Sequence, residues 1–206
     1  MTETSSQLTK AAVDQNPFRQ FEQWSQDVRR AGVSEQDTIS MTLATATRFG
    51  LPCARIVLLK SFDERGFVFY TNYNSRKGNE LEENAQACLL FYWPQLWRQV
   101  RIEGAVERVS EAESDQYFHS RPLGSQIGAW ASEQSTAVAS RATLDQRFEE
   151  FSREFGDHVP RPPHWGGYCV RPNVIEFWQG QENRLHDRLR YTLQDSGDWL
   201  IERLAP

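Results

Sequence analysis

Hydrophobic residues change their spacing twice along the chain. After a polar stretch from Met1 to Gln15, Phe18, Phe21, Trp24 and Val28 recur at three- and four-residue intervals. With Asn16 as N-cap and Pro17 at the first helical position, they predict an amphipathic helix reaching about Ala31. From Ile39 the period shortens. ISMTLATAT (39–47), ARIVLLK (54–60) and GFVFYTN (66–72) are β-branched and aromatic runs. Turn material at Phe49 to Pro52 and Asp63 to Gly66 divides them, so they read as antiparallel neighbours. A short helix over Ser75 to Asn84 follows, then QACLLFYW (86–93), a turn at Pro94-Gln95 and a long strand from Trp97 to Val109. Gly104 inside that strand predicts a bulge or a close backbone approach.

The second half returns to a helical period and then leaves it again. Ser110 and Glu113 form a capping box that opens a helix through Phe118. Leu144, Phe148, Phe151 and Phe155 mark another at i, i+4, i+7 and i+11. Between them, SRPLGSQIGAWASEQS (120–135) is too polar for a core and too rich in Trp and Ile for a linker. After the proline cluster at 160–163, strands are expected at GGYCV (166–170), VIEFWQ (174–179), LHDRLRYTL (185–193) and WLIERL (199–204). The pattern predicts a flexible leader over 1–15 and one domain over 16–206. Its class is mainly β with peripheral helices (α+β), the antiparallel sheet closing as a barrel because closure removes exposed strand edges.

Composition narrows the function. A chain of 206 residues, 39% hydrophobic, has enough apolar surface for one substantial core. A net charge of -5 argues against a general nucleic-acid coat. The polar N-terminus carries no secretory signal, no run is long enough to span a membrane, and three separated cysteines suit a reduced, cytoplasmic protein. The histidines have no metal-like spacing, so no metal is expected. GxGxxG, P-loop and GxSxG motifs are absent, so a nucleotide-type cofactor is not held in the Rossmann manner. Of the 23 basic residues 20 are Arg, which reflects either composition bias or use of the guanidinium fork on phosphate or carboxylate.

Three segments carry candidate chemistry. Ser75 is placed as an N-cap with Arg76 and Lys77 in the first turn, where cations oppose the helix dipole. A bound phosphate reverses that penalty, and a solvated turn with two surface cations is the alternative. In RLHDR (184–188), strand alternation puts Arg184, His186 and Arg188 on one face, either as an anion site with a titratable histidine or as a basic stripe paired with acids. In ARIVLLK, Arg55 and Lys60 are separated by an odd number, which places them on opposite faces of a regular strand. Tyr117, Arg121 and Ser125 form a further set that suits a phosphate.

The ordered blocks RIVLLK (55–60), FYTNYNSRKG (69–78), LLFYW (89–93), RQV (98–100), YFHSRP (117–122), SQIGAWAS (125–132), QS (134–135), PPHWGGY (162–168), IEFWQG (175–180), RLHDRLRY (184–191) and ERLAP (202–206) resemble the pyridoxine/pyridoxamine 5′-phosphate oxidase family. The resemblance runs from about Phe18 to Pro206. It implies an FMN-binding split β-barrel that acts as a homodimer with FMN at the subunit interface. Arg55, Ile56, Val57, Leu58, Leu59, Lys60, Tyr70, Thr71, Arg76, Lys77 and Gln99 would hold FMN. Gln134, Ser135, Trp178 and Arg188 would complete that site, some from the partner subunit. Lys60, Tyr117, Arg121 and Ser125 would grip a substrate phosphate, while Arg184, Leu185 and His186 would contact the pyridine ring, with Arg184 and His186 as the catalytic pair. The implied reaction oxidises pyridoxine or pyridoxamine 5′-phosphate to pyridoxal 5′-phosphate by hydride transfer from C4′ to the flavin, O2 becoming hydrogen peroxide. A related oxidase of phenazine-type rings is a rival, as is a flavin- or pyridoxal-phosphate-binding protein without turnover. Retention of YFHSRP and SQIGAWAS favours the phosphorylated substrate. Many relatives carry a basic, Tyr-containing segment that can fold over the substrate, whereas Met1 to Gln15 offers only Lys10.

Overall fold

The computed structural model describes residues 7–206. The first helix, α1 (Pro17–Arg30), starts where its cap dictates: the Asn16 side chain accepts the Phe18 N–H at 2.9 Å. Its apolar stripe buries Phe21 among Phe62, Phe67 and Phe91, with ring centroids 4.9, 5.1 and 5.0 Å away. A five-residue helix that the sequence pattern had not marked, α2 (Glu35–Ile39), is capped by Ser34 and leads into β1 (Ser40–Ala46). Then come β2 (Pro52–Leu58), β3 (Ser61–Asp63), β4 (Gly66–Asn72), α3 (Arg76–Glu83), β5 (Gln86–Trp93) and β6 (Arg98–Arg108). Helices α4 (Glu111–Ser120), α5 (Leu123–Ala131) and α6 (Arg141–Phe155) precede β7 (Trp165–Gln179), β8 (Asp187–Leu193) and β9 (Trp199–Arg203).

The described residues form nine strands in one antiparallel sheet, ordered β2-β1-β5-β6-β7-β4-β3, with β8 and β9 continuing from β7. The sheet curls into a half-barrel with helices at its margins. The central element is β7. One of its edges pairs with β6; the other pairs with β4 over Trp165 to Val170 and with β8 over Val174 to Gln179. The sequence pattern predicts two separate strands here, GGYCV and VIEFWQ. The strand instead runs through, since Pro172 faces Gly104 at a register shift where Asn173 is the extra residue. A Cβ on Gly104 would lie 1.9 Å from the Arg171 carbonyl oxygen, so the expected bulge and the close approach are both present.

Three other expectations change. SRPLGSQIGAWASEQS contains α5, whose buried Ile127 packs with Phe118, Val159 and Trp165 in a second, smaller core under the cavity described below. The last-but-one strand begins at Asp187, not Leu185. The leader is docked well before Asn16: Leu8 and Val13 are buried, and Asp14 accepts a hydrogen bond from the Tyr191 hydroxyl at 2.8 Å. Residues 1–6 lie outside the described residues. Among the described residues no helix is long and apolar enough to cross a membrane.

Candidate functional site

A cavity of about 1000 Å³ opens between the edge strand β2, the end of β4, the start of α3 and helices α4 and α5. At one end, the Ser75 side chain accepts the Gly78 N–H and caps α3, so Arg76 and Lys77 fall in the first turn without any acid beside them there. Gly78 is required by packing, because a Cβ would sit 1.9 Å from the Tyr73 carbonyl oxygen. Lys77 is buried, and its Nζ donates only to neutral oxygens: Thr71 Oγ1 at 3.1 Å, Ser75 Oγ at 3.2 Å and Gln134 Oε1 at 3.0 Å. Burial, and then the nearby Arg55 charge, bring its ammonium down to about 8.

Glu80 organises the rest of this end. Its buried carboxylate accepts from Arg55 at 3.0 Å, from Arg76 at 2.8 Å and from the Thr45 hydroxyl. Burial raises the carboxyl pKa, but these three hydrogen bonds outweigh it and hold the group below the ordinary range. Two Arg and a Lys against one Glu leave a surplus of positive charge facing the cavity, which suits a phosphate.

The other end is aromatic and cationic. Tyr70 stacks on Tyr117 at 4.0 Å and on Trp165 at 5.5 Å. Arg121 lies over Trp165 at 4.6 Å, and Lys60 over Tyr117 at 5.8 Å. Burial lowers the Arg121 pKa, and its Nη1 is buried with no hydrogen-bond partner. An unpartnered guanidinium nitrogen beside Lys60 and Ser125 in a cavity wall is a place for a second anion.

Thus Arg55, Ile56, Val57, Leu58, Lys60, Tyr70, Thr71, Arg76, Lys77, Tyr117, Arg121, Ser125, Gln134 and Ser135 all line one cavity. The odd separation of Arg55 and Lys60 is no obstacle, because β2 ends at Leu58 and Lys60 lies beyond the regular alternation. Leu59 does not line the cavity; it is buried in the main core, its N–H bonded to the Ile39 carbonyl.

The remaining candidates form a second group. Gln99, Trp178 and Arg188 stand side by side on β6, β7 and β8 in the register Gln99–Trp178–Arg188. None of them lines the cavity, nor do Arg184, Leu185 and His186. The buried carboxylate of Glu176 holds Arg188 by two hydrogen bonds, 2.7 and 3.1 Å, and also receives Arg101 at 2.8 Å. Arg184, His186 and Arg188 do not share a strand face as alternation had suggested. Arg184 lies in a turn with φ 61°, next to Asn183 at φ 55°, and His186 precedes the strand with its ring 4.7 Å from Trp178. Four non-glycine residues among those described have positive φ, and Ser135, Asn183 and Arg184 are three of them. Such conformations cost about 1–3 kcal/mol each and concentrate where function over-determines them. Leu185 is 71% exposed, Trp97 62%, Ile56 65% and Tyr92 56%, leaving both groups rimmed by uncovered apolar side chains.

Residues that sequence reasoning passed over are Thr45, Glu80, Trp165 and Glu176. Glu80 had one local signal, its i, i+4 spacing from Arg76 on a helix. The others act only through strands brought together by the sheet. Among the described residues no cluster of His, Cys, Asp or Glu is arranged to hold a metal ion.

Fold and cavity together define a split-barrel protein with a cavity at a sheet edge that carries cations at both ends. Comparison with known proteins makes this specific. A sequence profile described as pyridoxamine 5′-phosphate oxidase matches residues 31–153, and one described as pyridoxine 5′-phosphate oxidase C-terminal dimerisation region matches residues 165–206. The chain is 60% identical to pyridoxine/pyridoxamine 5′-phosphate oxidase 1 of Ralstonia nicotianae, over 97% of this chain and 93% of that protein. It is 56% identical to the corresponding oxidase of Trichormus variabilis, over 98% and 94%. Among solved structures, PhzG from Burkholderia lata, in complex with tetrahydrophenazine-1-carboxylic acid, superposes with a TM-score of 0.90 at 32% identity, covering 99% of this chain and 100% of that one. The chain belongs to the pyridoxine/pyridoxamine 5′-phosphate oxidase family of split-barrel flavoproteins, and FMN is its cofactor.

Proposed function

We propose that this protein oxidises pyridoxine or pyridoxamine 5′-phosphate to pyridoxal 5′-phosphate. The observation that carries this reading is Arg121: half-buried over Trp165, with its buried Nη1 unbonded, in one cavity wall with Lys60, Tyr117 and Ser125. A cavity with cations at both ends matches two phosphorylated ligands, one cofactor and one substrate. Bound FMN supplies the two-electron oxidation, with O2 as final acceptor and hydrogen peroxide as product.

The chain's own residues bind and orient. Lys77, Arg55 and Arg76 face the cofactor phosphate, with Ser75 and Glu80 fixing their positions, and Gln134 and Ser135 closing the wall beside them. Lys60, Tyr117, Arg121 and Ser125 grip the substrate phosphate. Gln99, Trp178 and Arg188, with Arg184, Leu185 and His186, reach the cavity of the partner in a homodimer, which explains why they stand outside the cavity of their own chain. Arg184 and His186 then lie over the substrate ring, giving orientation and electrostatic stabilisation. The match of residues 165–206 to a dimerisation region supports this assembly, as do the exposed apolar rims of both groups.

A second reading, oxidation of a phenazine-type ring, is favoured by the likeness to PhzG. Incubation of FMN-loaded protein with pyridoxamine 5′-phosphate in air separates them, following aldehyde and peroxide. Stoichiometric formation of both is expected. An FMN-loaded sample that forms no aldehyde would falsify the proposal.

A further inference from the structure

The loop joining β7 to β8 contains a hydrogen bond that fixes the state of His186. The Gln181 backbone N–H points at His186 Nδ1, 3.1 Å away. A backbone N–H can only donate, so Nδ1 is the accepting nitrogen and the ring proton lies on Nε2. What holds Gln181 there is Asp187. Its buried carboxylate accepts the Gln181 side-chain amide at 2.8 Å and the Leu8 backbone N–H at 3.1 Å. Its other oxygen accepts from Arg203, which also donates to the Leu8 carbonyl. The docked N-terminal segment, the C-terminal strand β9 and the loop therefore converge on one carboxylate. Burial raises the Asp187 pKa, but the hydrogen bonds from Arg203, Leu8 and Gln181 more than offset it, so the acceptor is ionised.

The loop needs this anchorage. Asn183 and Arg184 both take left-handed backbone conformations that only surrounding contacts maintain. Beyond Asp187, the loop is held by the Gly180 N–H on the Trp97 carbonyl at 2.7 Å and by the His186 ring against Trp178. We propose that Asp187 is a positioning residue: through Gln181 it holds His186 in the Nε2–H tautomer, so that His186 presents a hydrogen-bond donor to an oxygen or nitrogen acceptor of the substrate ring. This rests on the function proposed above in one respect, that the substrate is where His186 acts.

Long-range ¹H–¹⁵N spectra of histidine-labelled, FMN-loaded protein test it, His186 being identified by its missing signals in His186→Gln. The wild type is expected to show the Nε2–H tautomer at His186. Gln181→Met keeps the side-chain length and leaves Asp187 bonded to Leu8 and Arg203. It is expected to mix the two tautomers and raise KM for pyridoxamine 5′-phosphate about tenfold, with kcat within about twofold and FMN retained. Asp187→Asn is expected to shift both readouts the same way. A wild-type His186 carrying its proton on Nδ1, or a Gln181→Met protein with unchanged tautomer and KM, overturns the proposal. The nitrogen signals are read without substrate. A wild type that leaves pyridoxamine 5′-phosphate untouched therefore overturns only the function, while these signals still decide the tautomer.

Discussion

The cavity and the β6–β7–β8 patch are built by opposite means. In the cavity the cations stand on and just beyond an edge strand, on the first turn of α3 and at the C-terminal end of α4, and two of them are left without an acid: Lys77 donates to neutral oxygens and Arg121 keeps a nitrogen unbonded. On the patch Arg188 is locked by Glu176 and Asp187 is saturated by three donors. One region is concave and keeps Lys77 and Arg121 without an acid; the other pairs Arg188 and Asp187 within its own chain and presents an apolar-rimmed, uncovered surface. A cation without an acid in a cavity wall marks where a small anionic ligand completes the hydrogen bonding, whereas an apolar-rimmed surface whose ions are paired marks where another surface is to be met.

The sharpest way to break this comparison is complementation. Lys77→Met disables the cavity and Trp178→Ala the patch, and each homodimer is expected to lose most of its activity. In a mixed dimer one site pairs the two defects and the other is native, so random mixing restores about a quarter of the sites. No recovery on mixing, with mixed dimers demonstrated by mass, would place cavity and patch in one chain's site or in none.

Next in size is Arg121→Met. Loss of a charged grip on phosphate is expected to raise KM for pyridoxamine 5′-phosphate roughly 10- to 100-fold while the protein stays yellow. A colourless product would move Arg121 to the cofactor end.

A smaller effect follows from Lys77. Its ammonium titrates near 8 in the cofactor-free fold and at 10.5 ordinarily. Between these values the unfolded chain binds more protons, so Lys77 makes the cofactor-free protein more stable as pH rises through that window. A phosphate favours the charged amine, so cofactor binding takes up a proton above about pH 8, and FMN affinity falls by up to about tenfold per pH unit there. Calorimetric titration in buffers of different ionisation enthalpy reads the proton directly. Uptake that survives in Lys77→Met would assign it to another group.

Much of this was legible in the sequence where the physics is local. The Asn16 and Ser75 caps, the Ser110–Glu113 box and the period-two runs need only neighbours a few residues away, and they came out where expected. The long strand β7 was not legible, because Pro172 normally interrupts pairing and is tolerated only opposite Gly104, a partner far away in the chain. The RLHDR segment was misplaced for a related reason. Left-handed backbone at Asn183 and Arg184 is imposed by anchors at Asp187 and Trp97, so a pattern of alternating side chains had no strand to act on. Glu80 and Glu176 were missed because abundant surface acids disguise the few that are buried.

The continuity of β7 has a further consequence. Trp165, in the cavity wall, and Trp178, in the patch, sit thirteen positions apart on this one continuous, bulged strand, a contour of at most roughly 43 Å at about 3.3 Å per residue. On the function proposed here, a chain's own patch is therefore kept from its own cavity by a spacer that cannot fold back. Cofactor retention then obeys mass action in the protomer, so dilution alone releases FMN, and added FMN in turn tightens the dimer.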